Sequence, residues 1–195
     1  YARRRIEQYG ATPDHFAKVK VKNARHGLHN PYARFRKEVT IEDVNASPIV
    51  SDPLRLLEIC ATSDGAAALV VCSMDYARAR GVTDPVRISA VATVTPSYPN
   101  TVIEMPNFAT DSAFGVPEPE RTFRDSIAHA AYEQAGLGPE DLSLAEVYDL
   151  STALELDWYE NIGLCPPGEA ERLGPDPSDI ALRITKRTRA IVVVH

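Results

Sequence analysis

A chain of 195 residues with 44% hydrophobic and 25% charged content can bury one core, or a core plus an appendage, and is too apolar for a disordered polymer. Its longest apolar runs, "GAAALVVC" and "AIVVVH", fall far short of the roughly 20 residues of a membrane span, and no charged-then-apolar leader is visible, so a cytoplasmic protein is expected. The net charge of -6 hides an asymmetry: residues 1–37 hold ten Lys/Arg (Arg3, Arg4, Arg5, Lys18, Lys20, Lys22, Arg25, Arg34, Arg36, Lys37) against Glu7 and Asp14, or +8, leaving -14 for the remainder.

The opening "YARRRIEQYG" reads as a helix stopped by Gly10, and Thr12 with Pro13 as the cap and first residue of a basic helix running towards Asn23. From 27 to 63 the chain is rich in turn-forming residues and reads as a long loop excursion, interrupted by a short helix in "TIEDVNAS" capped by Thr40. "SDGAAALVVCS" and "VRISAVATVT" have the small and β-branched composition of strands covered on both faces. Joined by the helix "MDYARARG", they suggest a parallel crossover. Residues 96–120, with five prolines, read as a further loop.

"ERTFRDSIAHAAYEQAGLG" is the clearest helix, with Phe123, Ile127, Ala130 and Ala131 on one face and Gly136 closing it. His129 on this helix lacks partners at metal spacing and reads as packed or surface-lying. A short strand "AEVYD" then hands over to a helix capped by Ser151 or Thr152, with Leu154, Trp158 and Ile162 as its apolar face. "LCPPGEAERLG" starts another short helix, and the final "AIVVVH" has the pattern of a strand wanting neighbours.

Chemistry-bearing residues are few. Cys60, Cys72 and Cys165, odd in number and without CxxC spacing, argue against a disulfide framework and a zinc site; reduced, small, buried thiols and no metal are expected. The basic block suits a polyanion, or else forms a solvated face. With no helix-turn-helix, finger or RNA-binding signature to present it, nucleic acid is not the expected partner. Tyr148 stands at the strand-to-helix junction of "EVYDLST". A phenol there either packs with its hydroxyl on backbone or takes part in proton transfer.

Three stretches, "NPYARFRKEVTIEDVNASPIVSDPLRLLEICATSDGAAALVV", "EQAGLGPEDLSLAEVYDLSTALELDWYENIGLCPPGEAERL" and the helix between them, resemble the thiolase superfamily, in particular the sterol-carrier-type thiolases and lipid-transfer-protein-like enzymes of acyl-CoA metabolism. The resemblance covers roughly residues 1–173 and implies an α/β, layered helix/sheet/helix/sheet/helix fold, of which this chain matches the part from the loop domain into the C-terminal half. It implies a basic, CoA-facing end of the loop domain at 1–62, a strand and helix returning to the core at 63–84, and an incomplete C-terminal domain at 85–195.

The nucleophilic cysteine of thiolases belongs to the other half of the family pattern, so none of the three cysteines here inherits its role. The second catalytic, glycine-rich motif is not recognisable either. Where sterol-carrier-type thiolases carry His-Asp-Cys-Phe, this sequence has Tyr148, Asp149, Leu150 and Ser151. Tyrosine in that place resembles the aldolase branch of bacterial steroid side-chain degradation. That implies Tyr148 as the catalytic residue of a retro-aldol cleavage of a β-hydroxyacyl-CoA, releasing propionyl-CoA and a ketosteroid.

Asp149 is expected to accept hydrogen bonds at the start of the following helix. Thr62 and Ser63 match the region near the CoA pantetheine arm, with a plain turn as the alternative, and Arg34, Arg36 and Lys37 are candidates for its phosphates. No tightly bound cofactor is implied, coenzyme A entering as the thioester substrate. The expected partners are a steroid acyl-CoA, a second copy in a homodimer, and an OB-fold subunit of an acyl-CoA hydratase. A thiolase (acetyl-CoA acyltransferase) and a non-catalytic lipid-transfer or binding subunit stand as alternatives.

Overall fold

The computed structural model describes residues 1–93, 127–173 and 191–193. Helix α1 (Ala2–Tyr9) stops at Gly10, whose φ of 71° suits a residue without Cβ. Helix α2 (Pro13–His29) begins at the expected Thr12-Pro13 pair, with the Thr12 N–H donating to His15 Nδ1 (3.0 Å), and runs past Asn23 to His29. Helix α3 (Ile41–Ala46) carries a reciprocal cap: the Asp43 N–H donates to Thr40 Oγ1 (3.1 Å) and the Thr40 N–H to the Asp43 carboxylate (3.0 Å). An antiparallel hairpin of β1 (Ile49–Ser51) and β2 (Leu54–Arg55) follows, then a 3-10 turn at Leu56–Glu58.

Helix α4 (Met74–Ala79) is capped by Ser73, but among the described residues the two strands expected on either side of it are not formed. Residues 61–73 and 85–93 have no ladder partner among the described residues, and their apolar side chains face outward, with Leu69 90%, Val70 100% and Val86 90% exposed. The composition specified strands covered on both faces. A strand exists only through its neighbours, and the described residues supply none here.

Helix α5 (His129–Ala135) closes at Gly136 (φ 67°), and the Tyr132 hydroxyl donates to the Ile162 carbonyl at 2.5 Å. His129 is exposed, as one of its two expected placements required. The start of the expected helix and the proline-rich loop at 96–120 lie outside the described residues. Strand β3 (Leu144–Glu146) pairs in parallel with β4 (Ile191–Val193), Leu144 opposite Ile191 and Glu146 opposite Val193, so the terminal apolar run does find a neighbour. Helices α6 (Thr152–Asn161) and α7 (Ala170–Leu173) complete an α/β arrangement; among the described residues, no helix is long and apolar enough to cross a membrane.

Helix α6 is central. On one side Leu154 and Trp158 pack with Ile127, Val147 and Leu150, and on another Ala153 and Leu156 join Phe16 and Val19 of α2. A helix buried all round buries its polar positions too, here Glu155, Asp157 and Glu160, and a buried carboxylate needs a partner. The basic block supplies them. Arg5, fully buried, donates to Asp157 (2.5 Å), Glu160 (2.5 Å) and both oxygens of Glu171 (2.6 and 2.8 Å), Arg4 donates to Asp157 (3.2 Å), and Lys22 pairs with Glu155. Part of the charge expected to face a polyanion is therefore internal, because α6 brings unpaired carboxylates to it.

Candidate active site

The link from β3 to α6 is Val147, Tyr148, Asp149 and Leu150, and Ser151 caps α6 by accepting from the Leu154 N–H at 3.3 Å. A second segment lies along this link: Ile59 forms an antiparallel bridge with Ser151, and the Cys60 N–H donates to the Leu150 carbonyl at 3.0 Å. That pairing brings the Cys60 thiol near enough to the Tyr148 hydroxyl to act on its ionisation, with both residues exposed to solvent, Tyr148 by 39%.

The Tyr148 phenol is held above its ordinary pKa, first by desolvation, then by the neighbouring Cys60 side chain, then by Asp149. It stays protonated and is a hydrogen-bond donor. An exposed hydroxyl beside a thiol also differs from the packed tyrosine bonded to backbone, which is the plainer reading of the sequence.

Asp149 does not cap α6; Ser151 does. Its side chain is half-buried, and its carboxylate accepts from Asn23 Nδ2 of α2 at 2.9 Å. The same Asn23 amide nitrogen donates to Glu155 Oε2 at 2.6 Å, and Glu155 also accepts from the Tyr159 hydroxyl and pairs with Lys22. Burial raises the Asp149 pKa first and the nearby Glu155 charge adds to it, against the hydrogen bond from Asn23 and the charge of Lys20.

Of the residues assigned to the coenzyme, Arg34 and Thr62 come together, Arg34 Nη1 donating to the Thr62 carbonyl while the guanidinium lies 5.0 Å from the Phe35 ring centroid. Ser63 follows Thr62 on the same exposed segment, two to three residues after Cys60. Arg36 instead donates to the Leu28 carbonyl at 3.4 Å, and the charge of Lys37 acts on Asp43 of α3, so the interactions described for these two do not lead to Tyr148.

The cysteines divide. Cys165 is buried as expected, and its thiol pKa is pushed up to about 12 by burial and then by Glu160, which makes it a poor nucleophile. Cys60 and Cys72 are exposed, against expectation, because one lies on the open side of the junction and the other in the unpaired stretch before α4.

Residues 117–177 match the family described as Thiolase C-terminal domain-like. Over 168 residues the chain is 38% identical to the benzoylsuccinyl-CoA thiolase subunit BbsB of Thauera aromatica, covering 86% of this chain and 40% of the relative. Over 172 residues it is 35% identical to a steroid side-chain-cleaving aldolase of Thermomonospora curvata, covering 88% of this chain and 42% of the relative. The solved structure of an Ltp2-ChsH2(DUF35) aldolase superposes with a TM-score of 0.72 at 31% identity, over 98% of this chain and 47% of that one. The chain thus carries a thiolase C-terminal domain-like segment within a longer stretch of similarity to a thiolase subunit and to aldolases. It spans less than half the length of these relatives.

Cys60 and Asn23 are the neighbours of the junction that reasoning from sequence did not single out. For Cys60 a signal existed: "LEICATSDG" passes from an apolar edge into a polar turn at the cysteine. Asn23 sits in "KVKVKNARH", and nothing there connects it with residues 149 and 155.

Proposed function

We propose that this chain belongs to the thiolase superfamily and contributes Tyr148 to an acyl-CoA-dependent aldolase that cleaves a β-hydroxyacyl-CoA steroid side chain. A base takes the proton from the β-hydroxyl, and the bond between the α and β carbons breaks to leave a ketone. The electron pair enters the thioester as an enolate, which is then protonated at the α carbon to give a short acyl-CoA such as propionyl-CoA. Tyr148 donates a hydrogen bond to the enolate oxygen, a role that needs its proton in place. The observation that carries this reading is the solvent-facing phenol held above its ordinary pKa at the strand-to-helix junction. The similarity to two proteins named as aldolases supports it.

In this reading residues 1–62 close a loop domain over the site, residues 63–84 return to the core and residues 85–195 belong to the C-terminal domain. The pantetheine arm passes Thr62 and Ser63, and the phosphates meet Arg34, with Arg36 and Lys37 further along the same segment. The protein pairs as a homodimer and binds an OB-fold subunit of an acyl-CoA hydratase; the ChsH2(DUF35) component in the name of its structural neighbour supports a second subunit. The decisive experiment compares propionyl-CoA release by the wild type and by Tyr148→Phe; equal rates would remove Tyr148 from the mechanism.

A second reading, a thiolase, is favoured by the similarity to a benzoylsuccinyl-CoA thiolase subunit. Mass spectrometry after incubation with acyl-CoA separates the two, since an acyl-enzyme on cysteine belongs to the thiolase route alone.

A further inference from the structure

Tyr148 and Asp149 are consecutive residues that go opposite ways: the phenol is exposed and the carboxylate half-buried. Adjacent residues share a peptide plane, so whatever grips the inward side chain also constrains the outward one. Asp149 is gripped by Asn23, a neutral side chain whose amide nitrogen carries two protons. One goes to Asp149 Oδ2 (2.9 Å) and the other to Glu155 Oε2 (2.6 Å). Asn23 thus holds together two carboxylates that would otherwise repel, and it joins α2 to both the junction and α6.

We propose that Asn23 is a positioning residue for Tyr148, acting through Asp149. Three sets of charged and titratable groups face this clamp. From α2 come Lys20, Lys22 and His26; from α6 come Glu155, hydrogen-bonded to Tyr159; and from the segment after the 3-10 turn comes Cys60, beside the phenol. Lys22 is already committed to Glu155, and Lys20 acts on Asp149 only through its charge, so Asn23 supplies the side-chain hydrogen bond recorded on the Asp149 carboxylate. A charge at a distance sets no direction, whereas a hydrogen bond does. Loss of the clamp frees Asp149 to turn towards water, and the phenol moves with it.

The inference rests on the aldolase reading for its catalytic part, but its structural part is tested without turnover. In Asn23→Ala, the Tyr148 phenol, read as the ultraviolet difference titration against the same protein carrying Tyr148→Phe, is expected to titrate at a pH closer to that of free tyrosine. Propionyl-CoA release should lose roughly tenfold in kcat with KM changed far less, the signature of misplacement rather than lost binding. Asn23→Gln, which keeps both donors on a longer stem, should restore part of each. The proposal is overturned if Asn23→Ala lowers the melting temperature while the Tyr148 titration and kcat stay at wild-type values, because Asn23 is then only a structural clip. A shifted titration in a protein whose Tyr148→Phe variant is fully active would instead retain the clamp and remove the aldolase role of Tyr148.

Discussion

The Cys60 thiol stands beside the Tyr148 hydroxyl because the backbone of Cys60 is bonded to Leu150, across the link that carries the phenol. Cys60 is among the causes that hold the Tyr148 pKa up, after desolvation. Removing the thiol in Cys60→Ala therefore lowers that pKa. If the protonated phenol is the active form, activity is lost as pH rises through the phenol pKa, so the alkaline limb of the pH–rate profile moves to lower pH in the variant. Cys60→Ser, which keeps a donor but no thiolate, should move it less. A limb that stays in place in both variants would show that Cys60 does not tune Tyr148.

Arg34 is the coenzyme candidate that the structure ties to the Thr62 segment, and its guanidinium is exposed over Phe35. Arg34→Ala should raise KM for the acyl-CoA several-fold with little change in kcat, since phosphate contacts remote from the reacting carbon add binding common to ground and transition state. Salt up to about 0.5 M should weaken wild-type binding and narrow the gap between the two proteins. An unchanged KM in both tests would take the phosphate away from Arg34. Arg36→Ala serves as the contrast, with its donation to Leu28 and an expected effect smaller than that of Arg34→Ala.

Asp149 gives a pH dependence of stability with a definite sign. Its folded pKa lies above the ordinary 3.8, chiefly from burial and then from Glu155. Between 3.8 and the raised value the folded chain binds more protons than the unfolded one, so this group lowers stability as pH rises through that window. Asp149→Asn keeps an acceptor for Asn23 and removes the titration, so it should flatten the decline. Urea unfolding of both proteins at a series of acidic pH values checks this, and an identical slope would show that Asp149 is solvated in the folded state.

How far the sequence is legible depends on how local each determinant is. Gly10, Thr12, Thr40 and Gly136 mark their helix ends correctly, because a cap is a bond between residues three or four apart. Tyr148 at a junction follows from the same short-range logic, as does the cap of α6, which the sequence narrowed to Ser151 or Thr152 and the structure gives to Ser151. The stretch 63–73 is misread as a formed strand because a ladder is a property of two segments, and the pattern reveals only one of them. The buried role of Arg5 escapes for a related reason: charge counting sees a basic block, while its neutralisation by Asp157, Glu160 and Glu171 spans more than 150 residues of sequence. Asn23 is hidden most completely, since its two partners lie 126 and 132 residues away and no periodicity links them.

Arg5 makes the strongest demand on the fold. Its guanidinium is fully buried and uses Nε, Nη1 and Nη2 on three carboxylates drawn from α6 and α7, while Arg4 reaches Asp157 from the same helix. The cluster thus fastens α1 to the central helix. Arg5→Met, close in volume but uncharged, leaves those carboxylates crowded and desolvated, and breaking a buried ion pair from one side costs about 3–5 kcal/mol. Arg5→Lys keeps the charge but lacks the planar fork, so it should recover only part of the loss. Urea unfolding measures both. If Arg5→Met costs less than about 1 kcal/mol, the carboxylates are finding water instead, and the cluster is not what fastens α1 to the central helix.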